Sequence, residues 1–274
     1  KSKNLKKQSN FIEFKKASRI WAIGSIHSNL DAFNSIKDFI LKNFRQNDKL
    51  IFLGNVIGLG DKSKETLSSI INLRFNLMSK FKLKPDSIIF LRGAQEEMFT
   101  KLLQLQLAPN PSEIVEWMFD HGVNETIKSY GYLEDEVKNI ASSGTMNISK
   151  WTKNLNKSLQ SIPGHPQYFL NLKHAAYSYT KKILFVNRGV DITRPLSAQN
   201  DCFWWGFHNF STIQNPYNTF LRIVRGYESE HLNQSQNSKN NVVCTLFKQP
   251  LSNKNVLCGI FTENGEILDL FENY

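Results

Sequence analysis

Short apolar runs alternate with stretches of helical periodicity in the first hundred residues, and this alternation constrains the fold more than any other feature. Each run has strand length and ends on or just before a glycine: RIWAIG at 19–24, KLIFLG at 49–54 and SIIFLR at 87–92. The stretches that follow predict helices over 29–43, 62–80 and 95–107, with Ser28 or Asn29 as the first N-cap. This order predicts a parallel sheet with right-handed crossovers.

The rest of the chain divides into a helical part and a strand-rich part. Residues 111–161 have mostly helical periodicity, with turns expected at Gly122, Gly131 and Gly144. Beyond residue 161, Asn264-Gly265 predicts a hairpin turn, and the polar segment 231–241 predicts a loop. Strands are predicted over 168–172, 175–179, 182–186, 221–224, 242–247, 256–262 and 267–271.

Charge and composition limit the possible functions. Lys and Arg number 34 against 24 Asp and Glu, and residues 1–16 hold six lysines and one glutamate. We therefore predict a basic N-terminal arm at 1–17, followed by one domain at 18–274 with a helical insert at about 109–165. The arm could bind nucleic acid or anionic lipid, or be a solvated terminus. No zinc-finger, helix-turn-helix or RNP-type aromatic motif accompanies it.

The cysteines and the apolar runs bear on the cellular compartment of the protein. Cys202, Cys244 and Cys258 are too few and too scattered for a disulfide framework or a CxxC metal site. No apolar run reaches the roughly 18 residues of a membrane helix, and no signal peptide is visible. We expect a cytoplasmic protein with no membrane span.

Polar and glycine-rich segments follow five of the predicted strands. Ligands of open α/β sheets bind beyond the carboxyl ends of their strands, so these segments are the candidate site. They are GSIHSNLD at 24–31, GNVIGLG at 54–60, RGAQEE at 92–97, VNRGV at 186–190 and RGYE at 225–228.

This series resembles the motifs of the calcineurin-like metallophosphoesterases, which read GDIHGN, GDYxDRG, GNHE, VHAG and GHT in the same order. It looks closest to the bacterial branch of serine/threonine protein phosphatases and symmetrical diadenosine tetraphosphatases, and covers roughly residues 18–272. The resemblance implies a four-layer α/β/β/α sandwich. It also implies a family chemistry in which two divalent metals, such as Mn or Fe/Zn, deliver a bridging hydroxide to a phosphoryl group.

The departures from the family are concentrated at its functional positions. Within the resemblance, the metal-ligand positions fall on Ser25, His27, Asn55, Ala94, Asn187 and Tyr227. The positions of catalytic neighbours fall on Gly58, Leu59 and Gln95. Only His27 retains an ordinary ligand, and the other five ligand positions carry no formal charge at neutral pH. We therefore expect no metal cofactor and no catalytic residue here. Glu96 is retained, in a position that supports its neighbours in the family.

Three functions remain open. The first is a pseudophosphatase, an inactive member of this fold that binds a protein partner or a phosphorylated ligand, neither identified by the sequence. The second is an active phosphoesterase of the protein phosphatase or diadenosine tetraphosphatase type with an unusual site. The third is a nucleic-acid or membrane-surface binder that uses the lysine-rich arm.

The remaining polar and aromatic residues of the site each have two interpretations. Arg92, Arg188 and Arg225 could hold an anion at the strand ends, or could pair with Glu96, Glu97 or Glu228. His27 could be a hydrogen-bonded relic or a ligand of a single metal, whereas Asn55 and Asn187 are expected to cap turns. The aromatic run at 203–205 predicts core, with an aromatic lip on the cleft as the alternative.

Overall fold

The computed structural model describes residues 10–208, 210–229, 241–248 and 255–272, which form two five-stranded sheets and the helices that flank them. The predicted loop at 231–241 therefore lies outside the described residues except at Asn241. The strands are β1 (Phe11–Phe14), β2 (Ile20–Ile23), β3 (Lys49–Phe52), β4 (Ile88–Phe90), β5 (Ala175–Ser178), β6 (Ile183–Val186), β7 (Arg222–Arg225), β8 (Val243–Thr245), β9 (Leu257–Phe261) and β10 (Ile267–Glu272).

The α-helices fill the intervals between these strands. They are α1 (Leu30–Asn43), α2 (Ser63–Phe81), α3 (Ala94–Leu102), α4 (Pro111–Asp120), α5 (Val123–Ser129), α6 (Glu134–Ala141), α7 (Thr145–Gln160), α8 (His165–Leu170) and α9 (Cys202–Trp205). Short 3-10 helices cover Pro85–Ser87, Leu105–Leu107, Leu196–Ala198 and Phe210–Thr212.

The first sheet contains the β-α-β-α-β unit that the sequence predicts. Its strand order is β10-β9-β2-β3-β4, in which β2, β3 and β4 are parallel and β9 and β10 are antiparallel. The second sheet has the order β1-β5-β6-β7-β8, and only its β5–β6 pair is antiparallel. The carboxyl ends of β2, β3, β4, β6 and β7 lead into the five candidate segments.

The sheets stack face to face between layers of helix. On β2, Ile20 and Ala22 belong to the cluster between the sheets, whereas Trp21 and Ile23 belong to the cluster under the helices. This alternation follows from the two-residue period of a strand that is buried on both faces. Phe203 and Trp204 of α9 cover the outer face of the second sheet, as the core interpretation of that run expects. The result is the four-layer α/β/β/α sandwich.

Local sequence explains where α1, the helix that follows the His27 segment, begins. Asn29 is the N-cap of α1, and its Oδ1 accepts a hydrogen bond of 3.2 Å from the backbone N of Ala32. The helix buries Phe33, Ile36 and Ile40, which share one face at helical spacing.

Two predictions need correction. Residues 168–172 were predicted as a strand, but Tyr168–Leu170 lie in α8. Pro166 in the first turn favours the start of a helix, and a run of four apolar residues fits the periodicity of a helix as well as that of a strand. The arm boundary at residue 17 falls too late, because β1 pairs with β5 and is part of the second sheet. Residues 1–9 of the predicted arm lie outside the described residues.

A buried histidine couples folding to pH. His165 hydrogen-bonds with Tyr130 Oη (2.7 Å) and Ser68 Oγ (2.9 Å), and burial lowers its pKa from 6.5 to about 4, with a smaller contribution from Lys64. Because the folded-state pKa is the lower one, the unfolded chain binds more protons between these values. The free energy of unfolding therefore falls as the pH is lowered through this window.

We predict that the wild type loses about 2 kcal/mol more unfolding free energy between pH 7 and pH 5 than the His165→Gln variant does. Urea denaturation at the two pH values measures this difference. The control is His208→Gln, which makes the same replacement at an exposed histidine. Equal losses in the wild type and in His165→Gln would contradict the prediction.

Candidate functional site

Backbone hydrogen bonds bring the candidate segments of both sheets together. The N–H of Ser25 donates to Gly226 O (2.9 Å), and the N–H of His27 donates to Asn55 O (2.8 Å). The N–H of Gly226 donates in turn to Asn187 O (2.8 Å). The segments after β2, β3, β6 and β7 therefore form one connected layer at the carboxyl ends of the strands.

The Glu96 carboxylate joins the segments after β3 and β4. Its Oε2 accepts the backbone N–H groups of Asn55 (2.8 Å) and Gly93 (2.9 Å). Its Oε1 accepts the N–H of Val56 (2.8 Å) and the hydroxyl of Tyr168 (3.2 Å). The side chain is fully buried, and this burial raises the pKa of the carboxyl while the backbone donors oppose the increase. With two donors on each oxygen, the hydrogen-bonding capacity of the Glu96 carboxylate is filled by groups of the protein itself.

The Asn55 side chain links its neighbours in the same way. Its Nδ2 donates to Ser25 Oγ (3.3 Å), and its Oδ1 accepts the backbone N–H of Gln95 (3.1 Å). Asn187 also acts as a link, because its Nδ2 donates to Leu53 O (2.7 Å). Both amides connect segments that are distant in the sequence instead of capping a local turn, and Asn55 has a left-handed backbone with φ of 52°.

Left-handed backbone is concentrated in these segments. Among the described non-glycine residues with positive φ are His27 (46°), Ser28 (61°), Asn55 and Leu59 (58°). Such conformations cost about 1–3 kcal/mol each and persist where surrounding contacts determine them. Here the hydrogen bonds between segments supply those contacts.

Close packing occupies the space at two glycines. A Cβ on Gly58 would lie 2.0 Å from Gln95 Oε1, and one on Gly93 would lie 2.3 Å from Asn55 Oδ1. The Gln95 side chain is held there because its Nε2 donates to His121 O (2.7 Å). A carboxylate at position 58 would require Gln95 to move.

The His27 ring lies in an aromatic enclosure. The ring edges of Tyr227 and Phe247 approach it with centroid distances of 5.6 and 5.9 Å. Burial lowers the pKa of His27 to about 4, so the ring is neutral at pH 7, and burial raises the pKa of Tyr227. The sequence analysis placed Phe247 at the end of a predicted strand and missed its contact with His27, which forms only when the two sheets stack.

Each of the three candidate arginines is paired with a carboxylate. Arg92 pairs with Glu97 (2.7 Å), whereas Arg188 (3.3 Å) and Arg225 (2.7 Å) share Glu228. Arg188 Nη2 also donates to Ser229 Oγ (2.7 Å), and the Arg225 side chain is only 1% exposed. The geometry therefore agrees with the pairing interpretation, and an anion would have to compete with these carboxylates.

A pocket of about 270 Å³ opens beside the His27 loop and the start of α1. Two acidic side chains, Asp31 and Asp61, and two basic side chains, Lys62 and Lys248, line it, so its positive and negative charges are equal in number. None of the three candidate arginines lines it. Lys62 lies 3.7 Å from Asp31, and Lys248 lies 3.3 Å from Glu272.

The donor set at the strand ends does not fit a pair of divalent metals. Among the described residues, no group of three or more His, Cys, Asp or Glu side chains could hold a metal ion. Asn55 and Asn187 use their amides in internal hydrogen bonds, and His27 faces Tyr227 and Phe247. Gln95 Oε1 and Asn187 Oδ1 are buried without a hydrogen-bond partner in the described part of the chain, but both are neutral oxygens. Two dications require anionic or imidazole ligands for compensation.

Leu59, in the segment after β3, and Trp117, on α4, are two exposed apolar side chains. Leu59 is 42% exposed and contacts Gly122, while Trp117 is 44% exposed and its ring centroid lies 4.4 Å from that of His121. Trp205 approaches Trp117 edge-on at 5.7 Å. Leu59 lines the pocket beside His27, and Trp205 packs against Trp117.

Comparison with solved structures identifies the fold. A candidate diadenosine tetraphosphatase superposes with a TM-score of 0.52 at 12% sequence identity, over 97% of this chain and 99% of that one. A serine/threonine phosphatase from Saccharomyces cerevisiae, similar to human PP5, superposes with a TM-score of 0.49 at 15% sequence identity, over 96% of this chain and 82% of that one. A metallophosphoesterase from Sphaerobacter thermophilus superposes with a TM-score of 0.46 at 14% sequence identity, over 94% of this chain and 88% of that one. The fold is that of the calcineurin-like metallophosphoesterases. No family profile and no curated protein sequence matches the chain.

The Glu96 network generates a stability prediction. Glu96→Ala leaves buried N–H groups of two segments without an acceptor, so we expect a loss of at least about 3 kcal/mol in unfolding free energy. Glu97→Ala is the matched control on the same helix, because its carboxylate pairs with the Arg92 and Lys101 side chains and holds no backbone N–H group of the described strand-end segments, so its cost should be clearly smaller. Urea denaturation compares the two, and equal costs would contradict the assigned role of Glu96.

Proposed function

We propose that this protein is a pseudophosphatase that keeps the metallophosphoesterase fold and acts by binding a protein partner. The observation that carries the proposal is the Asn55 amide, which is hydrogen-bonded on one side to Ser25 and on the other to Gln95. In the family resemblance this position bridges the two metals. Here it connects three segments of the protein, and these bonds would have to break to free the side chain.

The remaining groups do not supply an alternative catalyst. Attack of water on a phosphoryl group near neutral pH needs a base or a metal, and the best general base has a pKa near the working pH. His27 has a pKa lowered to about 4, which makes it a poor base at pH 7. The Glu96 carboxylate already accepts four hydrogen bonds. This chemistry supports binding over turnover.

The contacts favour a protein partner over a phosphorylated ligand. Arg188 and Arg225 already share Glu228, and the charges that line the adjacent pocket balance each other. The exposed side chains of Trp117 and Leu59 are more suitable for binding a protein, since exposed aromatic and apolar side chains, tryptophan above all, anchor protein interfaces.

The other expectations stay proposals. Cys202, Cys244 and Cys258 are free thiols, which suits the reducing conditions of the cytoplasm. No helix in the described ranges has the length and apolar character to cross a bilayer. Binding of nucleic acid or a membrane surface by the lysine-rich arm stays a prediction, because residues 1–9 lie outside the described residues.

A phosphatase assay tests the loss of catalysis. We expect hydrolysis of an aryl phosphate and a phosphopeptide with added Mn²⁺ to equal that of His27→Ala and of a protein-free blank. The reason is that no group at the strand ends can activate water at pH 7. Activity that His27→Ala abolishes would contradict the proposal and would support the active-phosphoesterase alternative.

Thermal unfolding with inorganic phosphate or a phosphopeptide tests the choice of partner. We expect no increase in Tm with either ligand, because Arg188 and Arg225 are occupied by Glu228. Arg188→Ala is the informative variant, since its side chain is partly exposed. An increase in Tm that is lost in Arg188→Ala would reject the protein partner in favour of a phosphorylated ligand.

A further inference from the structure

A second and larger cavity lies away from the strand ends. It has a volume of about 740 Å³ and lies between α2, the edge strand β4 and α8; we call it the α2–α8 groove. It has no lining residue in common with the pocket beside His27. Its volume falls in the range of small-molecule sites, roughly 300–1,000 Å³.

The interior of the α2–α8 groove is apolar and firmly held. Ile71 of α2 and Ile88 and Phe90 of β4 are buried side chains that line it. Phe75 forms part of the wall and is 58% exposed, so a large apolar surface there remains in contact with water. Pro85, Pro163 and Pro166 also line the groove, and their fixed φ angles limit its collapse.

The charged side chains of the groove favour an anion. Arg74 lines the groove and has no carboxylate or hydrogen-bond partner among the described residues. The one acidic side chain in the described lining, Asp86, lies 3.7 Å from Lys49 and is compensated by it.

The edge of β4 is closed to an added strand next to the groove. The N–H of Lys173 donates to Phe90 O (2.9 Å), and Lys173 O accepts the N–H of Arg92 (2.8 Å). The chain itself therefore occupies the backbone groups that an extended peptide would use at this point. The groove offers apolar side-chain walls and the guanidinium group of Arg74, which is unpaired within the described part of the chain. These features suit a single alkyl chain better than a polypeptide.

We propose that the α2–α8 groove binds an amphipathic carboxylate of the fatty-acid class, with its alkyl chain along Ile71, Phe75 and Phe90 and its carboxylate at Arg74. Burial of the chain provides the hydrophobic free energy, and Arg74 provides a charge-assisted hydrogen bond to the head group. This proposal is independent of the proposed function of the strand ends.

Isothermal titration with decanoate, below its micelle concentration, tests the proposal on the full chain. We expect one decanoate per protein and at least about ten-fold weaker binding of decyltrimethylammonium, which has the same chain and the opposite charge. Binding of several equivalents, or equal affinity for both head groups, would show non-specific surfactant adsorption and overturn the proposal. Absence of decanoate binding would also overturn it.

Variants locate the site. Arg74→Gln should weaken decanoate binding about ten-fold, because it removes the charge-assisted contact but keeps the length of the side chain. Arg45→Gln is the matched control, since Arg45 is exposed and does not line the groove, and it should bind like the wild type. Phe75→Ser should weaken binding of decanoate through the loss of apolar wall. Unchanged affinity in both Arg74→Gln and Phe75→Ser would place decanoate elsewhere and contradict the proposal.

Discussion

The buried carboxylate of Glu96 is the constraint on which the strand-end layer depends. Removing a carboxylate from water is costly, and the cost is offset here by the N–H groups of Asn55, Val56 and Gly93 and the hydroxyl of Tyr168. Those donors come from the segments after β3 and β4 and from α8. One side chain on α3 therefore fixes the relative positions of three parts of the molecule.

The protein's own hydrogen bonds hold the strand-end layer together. The left-handed backbone at His27 and Asn55 is held by hydrogen bonds that do not need a metal. Neutral side chains complete the layer, with the Asn55 amide between Ser25 and Gln95 and the Gln95 side chain against Gly58. Two divalent metals would have to displace these contacts and would lack, among the described residues, the anionic ligands that compensate their charge.

Sequence patterns predicted the parts of the structure that depend on local order. The alternation of apolar runs and helices predicted the parallel strands β2, β3 and β4, and parallel strands necessarily end at one edge, which brought Ser25 and Asn55 together. The enclosure of His27 by Phe247 was not predictable, because 220 residues separate them and only the stacking of two sheets joins them. The shared use of Glu228 by Arg188 and Arg225 was only one of several pairings that the sequence left open. The helix α8 was misassigned because its apolar run is too short to distinguish the two periods.

Calorimetric titration of the metal-free protein with Mn²⁺ tests the central claim most directly, because it measures the ligand set without reference to any substrate. The neutral and internally bonded groups at the strand ends should give no stoichiometric heat, and His27→Ala should be indistinguishable from the wild type. Binding of two Mn²⁺ per chain that His27→Ala abolishes would show that the layer opens to form a dinuclear centre, and would contradict this account.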